Sequence, residues 1–187
     1  MSGQPPADRS PAALAARAQL GDRESLEELL RRLQSPLHVH IRTITGDDDL
    51  AADALQETLL IICRRLGTVR QVEWIRAWAY RVATREALRA IRRSGRDRDV
   101  RLDDAPPLPD ESGDTAGLED EELLERLPAK LAALPPAARI VVRLRYLESL
   151  SQLEIAEALE IPIGTVKSRL AYGLEYLRRT WDPEGRA

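Results

Sequence analysis

Along most of the chain, apolar residues recur every three or four positions, and no stretch keeps the two-residue alternation of a half-buried strand. In DRESLEELLRRLQ, Leu26, Leu29, Leu30 and Leu33 fall at helical spacing, and Asp22 supplies an N-cap. Before it, Ser10-Pro11 opens a short Ala-rich helix that Gly21 ends, with proline in the first turn where it is tolerated. Ser35-Pro36 is expected to kink or break the leucine-bearing helix, because proline lacks an N–H and crowds the preceding turn. The chain resumes as PLHVHIRTIT and stops at Gly46. DDDLAADALQETLLIICRRL then places acids in a first turn and arginines in a last one, as the helix dipole favours. After the loop GTVRQVE comes WIRAWAYRVATREALRAIRR, with Ile75, Trp78, Ala79, Val82, Ala83, Ala90 and Ile91 on one stripe and the arginines mostly off it. Four helices with short connections predict a bundle over 22–95, preceded by a tail and short helix over 1–21.

The pattern fails over 96–118, GRDRDVRLDDAPPLPDESGDTAG, which holds Pro, Gly and acids but few large apolar groups. Such a segment buries too little surface to offset its ordering entropy and is expected to be a flexible acidic linker. Helical spacing returns afterwards and predicts a second domain over 119–182. The expected fold is therefore all-α, two small helical domains joined by a flexible acidic linker, the C-terminal one containing a helix-turn-helix. No internal repeat is visible.

Composition sharpens this picture. Hydrophobic residues make up 43% of the 187 positions, yet aromatics are only 4% and Phe is absent, so the cores must be aliphatic. The net charge of −3 conceals a segregation. Arg64–Arg98 carries eleven arginines against three acids, 99–126 carries eleven acids against two arginines, and 128–181 carries eight bases against five acids. Basic blocks on either side of an acidic one suit two surfaces that meet phosphate. A lone cysteine, Cys63, excludes an internal disulfide framework, and its aliphatic neighbours predict a buried, inert thiol. No apolar run is long enough for a membrane span, and the Pro-broken N-terminus has no signal-peptide stretch, so a cytoplasmic protein is expected.

The chemistry concentrates in SQLEIAEALEIPIGTVKSRLAYGLEYL, which has helix-turn-helix spacing. Ser151 and Glu154 form a capping box for the first helix, and Ala156 permits a close helix crossing. Pro162 and Gly164 are read as shaping the turn, with Thr165 as N-cap of the second helix. Val166, Leu170 and Leu174 then face inward, leaving Lys167, Ser168, Ala171 and Tyr172 outward and Arg169 at the flank. Small and polar groups beside cations can enter a major groove and meet phosphates and base edges. An ordinary hairpin with a solvated charged face fits one Lys and one Arg equally well. The ordered series of cap, small crossing residue, turn and cationic helix start favours DNA binding.

The stretch LPPAARIVVRLRYLESLSQLEIAEALEIPIGTVKSRLAYGLEYLRR resembles the C-terminal domain of bacterial extracytoplasmic-function (ECF) RNA polymerase sigma factors. DLAADALQETLLIICRRL and WIRAWAYRVATREALRAIRR resemble that family's N-terminal domain. The resemblance implies core RNA polymerase and promoter DNA as partners, an anti-sigma factor as a regulator, no covalent chemistry and no cofactor. It also implies that Thr165, Lys167, Ser168, Arg169 and Tyr172 contact the upstream (−35) element, with Arg145, Arg178 and Arg179 adding phosphate contacts. Asp49, Asp53, Gln56 and Glu57 fall where the family grips the polymerase. The loop 67–73 and the following helix would face the downstream (−10) element through Arg70, Trp74, Arg81, Arg85, Arg89 and Arg92. There Trp74, Trp78 and Tyr80 offer stacking surfaces, although Trp78 lies on the apolar stripe. Arg85 and Arg89 stand where the family often has Asn and Asp, Leu59 replaces a usual aromatic, and Glu160 occupies a common glycine site. The altered promoter-facing helix leaves a sigma-like decoy or adaptor for an anti-sigma factor as an alternative. A freestanding helix-turn-helix regulator is a third reading.

Other polar groups carry less. His38 and His40 are two apart, so they diverge on a helix and cannot share a metal; both are read as surface or boundary residues. Asp47, Asp48 and Asp49 lack the later Gly and Glu of a calcium loop, and helix capping is their expected role. With no phosphate loop, nucleophile elbow or zinc spacing, an enzyme is not expected, and no metal is assigned.

Overall fold

The structure, a computed structural model, describes residues 8–95 and 127–180. The acidic linker expected over 96–118 lies outside them, as does the beginning of the second domain. The chain divides into two compact units, Met1–Arg98 and Asp99–Ala187. Every element among the described residues is helical.

The first unit starts with α1, Pro11–Gln19, whose N-cap Ser10 accepts a hydrogen bond from Ala13 N at 3.2 Å. Helix α2, Arg23–Thr45, is capped by Asp22, which accepts from Ser25 N at 3.2 Å and Ser25 Oγ at 2.6 Å. These bonds hold the Asp22 carboxyl below its ordinary range. Helix α2 runs as one helix through Pro36, so of the kink or break expected there the break does not occur. A proline inside a helix costs about 3 kcal/mol. Leu29, Leu33, Leu37, Ile41 and Ile44 keep one register across it and are all buried. Each such side chain contributes about 1.5–3 kcal/mol on burial, so the continuous stripe outweighs the lost hydrogen bond. Helix α2 ends at Gly46, in the left-handed conformation with φ 64°.

Helix α3, Asp48–Arg65, is capped by Asp47, which accepts from Leu50 N at 3.0 Å. Single helical turns at Leu66–Thr68 and Val72–Trp74 lead into α4, Ile75–Arg93. Helices α2, α3 and α4 pack mutually, and α1 lies against α2 and the Val72–Trp74 turn. The short helix expected before the bundle is thus present at 11–19 and packs within the first unit. Ala51, Ala54, Ala77, Ala79, Ala83 and Ala87 are fully buried, and these small residues let backbones approach closely in a core without Phe.

His40 is buried, not at the surface, because α2 carries it onto the face that meets α4. Its Nε2 lies 2.9 Å from Thr84 Oγ1, and its ring stands edge-on to Tyr80 at 5.0 Å. Thr84 Oγ1 donates its proton to Tyr80 O at 2.9 Å, so His40 Nε2–H must be the donor in the other bond.

In the second unit, residues 127–130 are helical and Leu131–Ala133 makes a further turn. Helix α5, Pro136–Tyr146, follows, then α6, Gln152–Leu159, and α7, Ile163–Arg179. The core is aliphatic, with Ile140, Val141, Leu144, Ile155, Leu170 and Leu174 among its buried residues. Gly173 sets the approach of α7 to α5, since a Cβ there would stand 2.6 Å from Val142 Cγ2.

Candidate nucleic-acid interface

The helix-turn-helix is built from α6 and α7. Ser151 Oγ accepts from Glu154 N at 3.2 Å while Ser151 N donates to Glu154 Oε2 at 2.8 Å, completing the capping box. The turn before it is braced by Arg143 Nη2 against Glu148 Oε1 at 3.0 Å, each side chain only about a tenth exposed. Glu160 ends α6 with φ 56°, the left-handed geometry that glycine adopts without steric cost.

Helix α7 begins one residue after Pro162, whose extended backbone turns the chain into it. Two expectations change as a result. Thr165 is the third helical residue rather than the N-cap, and Gly164 sits inside the first turn, in open space and without a positive φ. Thr165 is half-exposed, and its carbonyl accepts from Ser168 Oγ at 3.0 Å.

Val166, Leu170 and Leu174 are buried, while Lys167 and Ser168 are exposed. Arg169 departs from the sequence reading, with only 1% exposure. The inward arc of α7 takes in positions 166, 169, 170, 173, 174 and 177, a stripe on which Arg169 falls three residues after Val166. Its guanidinium is therefore not part of the exposed cationic surface. Tyr172 is half-exposed, its ring 6.3 Å from that of Tyr176. Arg178 and Arg179 are exposed at the end of α7. Arg145 is exposed on α5 and donates to Leu150 O at 3.3 Å.

In the first unit, Asp49, Asp53, Gln56 and Glu57 are all exposed and lie along one face of α3. Leu60 continues that face at 39% exposure. Cys63 is exposed as well, contrary to expectation, because only Ile62 of the run LLIIC is turned fully inward. On α4, Arg85, Arg89 and Arg92 are exposed and Arg81 half-exposed, with spacings of three and four that align them. Arg70 is exposed on the preceding loop, and Trp74 and Trp78 are half-exposed. Tyr80 is 1% exposed against His40 and offers no stacking surface.

Two contributors escaped the sequence reading. Glu86 is a buried carboxylate whose Oε1 pairs with Arg89 Nη1 at 2.6 Å, so a charge on the inner arc of α4 holds one of its outer cations. Its i, i+3 spacing from Arg89 was the available signal. Gln19 reaches 47 and 50 residues along the chain to Leu66 and Val69, a contact no local pattern announces.

Comparison with known proteins accounts for both units. Residues 16–97 match the model for sigma-70 region 2, and residues 122–177 match that for sigma-70 region 4. The RNA polymerase sigma-H factor of Pseudomonas aeruginosa is 31% identical over 91% of this chain and 93% of its own length. The ECF sigma factor SigM of Mycobacterium tuberculosis is 31% identical over 92% of this chain and 85% of its own length. The chain belongs to the sigma-70 family, as an extracytoplasmic-function sigma factor. A solved structure of CnrH in complex with the cytosolic domain of CnrY shares the fold, with TM-score 0.61 and 20% identity over 95% of this chain and all of that one.

This sigma factor therefore acts in transcription initiation, with core RNA polymerase and promoter DNA as partners, and is not an enzyme. The region 2 match begins inside α1, in keeping with the packing of that helix onto α2. No helix among the described residues is long and apolar enough to cross a membrane.

Proposed function

We propose that the two units divide promoter recognition. The first docks on core polymerase through Asp49, Asp53, Gln56 and Glu57 and meets the downstream element with Arg70, Trp74, Arg81, Arg85, Arg89 and Arg92. The second reads the upstream element with Thr165, Lys167, Ser168 and Tyr172, while Arg145, Arg178 and Arg179 hold phosphates. Arg169 is reassigned to the support of this helix. Residues 96–118 tether the units, and the protein works in the cytoplasm, where an anti-sigma factor holds it inactive.

The observation that carries this reading is the division of α7, with Val166, Leu170 and Leu174 inside and Lys167 and Ser168 in solvent. The exposed acidic face of α3 and the arginine face of α4 support a separate docking surface and DNA surface on the first unit. The test is to add the purified chain to core polymerase and transcribe fragments selected by the holoenzyme from a random-sequence promoter library. Transcripts dependent on the chain are expected. Glu57→Ala should weaken core binding and leave DNA binding by the free chain intact. Failure to bind core at micromolar concentration refutes the proposal.

A further inference from the structure

The loop between α3 and α4 is held from outside itself. Gln19, the last residue of α1, places Nε2 2.9 Å from Leu66 O and 2.7 Å from Val69 O. A carboxamide nitrogen carries two N–H donors, one for each carbonyl. The carbonyls also settle which way the amide faces, because its oxygen in that place would meet two further oxygens. Leu66 O accepts Val69 N at 3.1 Å as well, so Gln19 bridges the beginning and end of that single turn. The loop's own bonds are short in range: Thr68 Oγ1 to Arg65 O at 2.7 Å and Trp74 N to Gln71 O at 3.1 Å. Helix α1 packs on the Val72–Trp74 turn too, and the burial of Leu14 and Ala15 anchors it. Arg70 and Trp74 thus project from a segment whose backbone is fixed at two points by one side chain.

We propose that Gln19 is a positioning residue for the downstream promoter element. By clamping the carbonyls of Leu66 and Val69 it sets the path of the loop that presents Arg70 and Trp74. Helix α1 thereby tunes base discrimination without touching DNA. This rests on the reading that the loop and α4 face the downstream element.

The experiment uses holoenzyme reconstituted from core polymerase and the full chain. Its probe is a promoter selected by the wild-type holoenzyme from a random library, together with derivatives in which each downstream base pair is replaced. Gln19→Glu keeps the shape but puts an oxygen against the two carbonyls, and Gln19→Ala removes the bonds without adding charge. Both should speed amide exchange over 66–74 and leave core affinity unchanged. Discrimination between the selected and altered downstream elements should fall about fivefold, the scale of one or two partly exposed hydrogen bonds. Arg70→Ala and Trp74→Ala are measured alongside. If they alter discrimination and the Gln19 variants do not, the positioning role is overturned while the loop's role in reading stands. If none of the four alters it, the loop does not read DNA and the proposal falls with that reading. A fall in core affinity and melting temperature that tracks the loss of discrimination also overturns it, because the clamp would then only stabilise the fold.

Discussion

Replacing Gly173 by alanine tests whether the approach of α7 to α5 requires that glycine. The new Cβ would lie 2.6 Å from Val142 Cγ2, 3.7 Å from Ala138 Cβ and 3.9 Å from Leu134 Cδ1. Carbon atoms prefer about 3.5–4.0 Å, so only the first contact is an overlap, of about 1 Å. Val142 is fully buried, so relieving the overlap means shifting a side chain inside a packed core. Overpacking costs about 1–3 kcal/mol, and an overlap this deep belongs in the upper half of that range. Alanine recovers about 1 kcal/mol of helix propensity. The net loss expected for Gly173→Ala is therefore about 1–2 kcal/mol. It is measured by urea unfolding of the full chain, with amide exchange in α5 and α7 reporting on this unit alone. Gly164→Ala is the internal control, because nothing lies within 4 Å of its would-be Cβ. It should gain a few tenths to about 1 kcal/mol. Val142→Ala combined with Gly173→Ala removes the clash and should show a coupling of about 1 kcal/mol or more. A Gly173→Ala protein stabilised as much as the Gly164 control would refute the reasoning.

Three further outcomes follow from the same geometry. Glu160→Gly relieves a left-handed backbone and should raise the stability of the second unit by about 1 kcal/mol, read by denaturant unfolding. Lys167→Ala should lower the slope of log affinity against log salt for upstream-element DNA by about one unit with unfolding unchanged, whereas Arg169→Ala should destabilise the unit before DNA is added. Asp22 has its pKa lowered by hydrogen bonds from Ser25, so its contribution to α2 is present above the ordinary value of 3.8 and is lost as pH falls below it. Asp22→Asn keeps an N-cap acceptor and should flatten that part of the acid-unfolding curve, as followed by circular dichroism.

What could be read from sequence were the features fixed by neighbours within a turn or two. The capping box at Ser151, the Asp47 cap and the inward Val166, Leu170 and Leu174 all follow from local spacing. Departures arose where packing between helices overrode a local rule, or where one local signal was weighed above another. Pro36 argued for a break, but the leucine stripe on either side keeps α2 whole. Thr165 looked like a cap, but Pro162 had already turned the chain. Arg169 was placed at the flank and counted among the DNA contacts, although its position on α7 is an inner one. Cys63 and His40 erred in opposite directions, since which side of a helix meets its neighbours depends on contacts distant in sequence.

The buried Arg169 carries a consequence for anyone who would retarget this protein to a different promoter. Swapping the whole Lys-Ser-Arg triplet for that of another helix would treat three adjacent letters as one reading head. Of the three, only the solvent-facing Lys167 and Ser168 are exchangeable: a chimera should vary positions 167, 168, 171 and 172 and keep 169 with the aliphatic residues beside it. Transplants that ignore this division would yield a misfolded domain that passes for an altered binding preference.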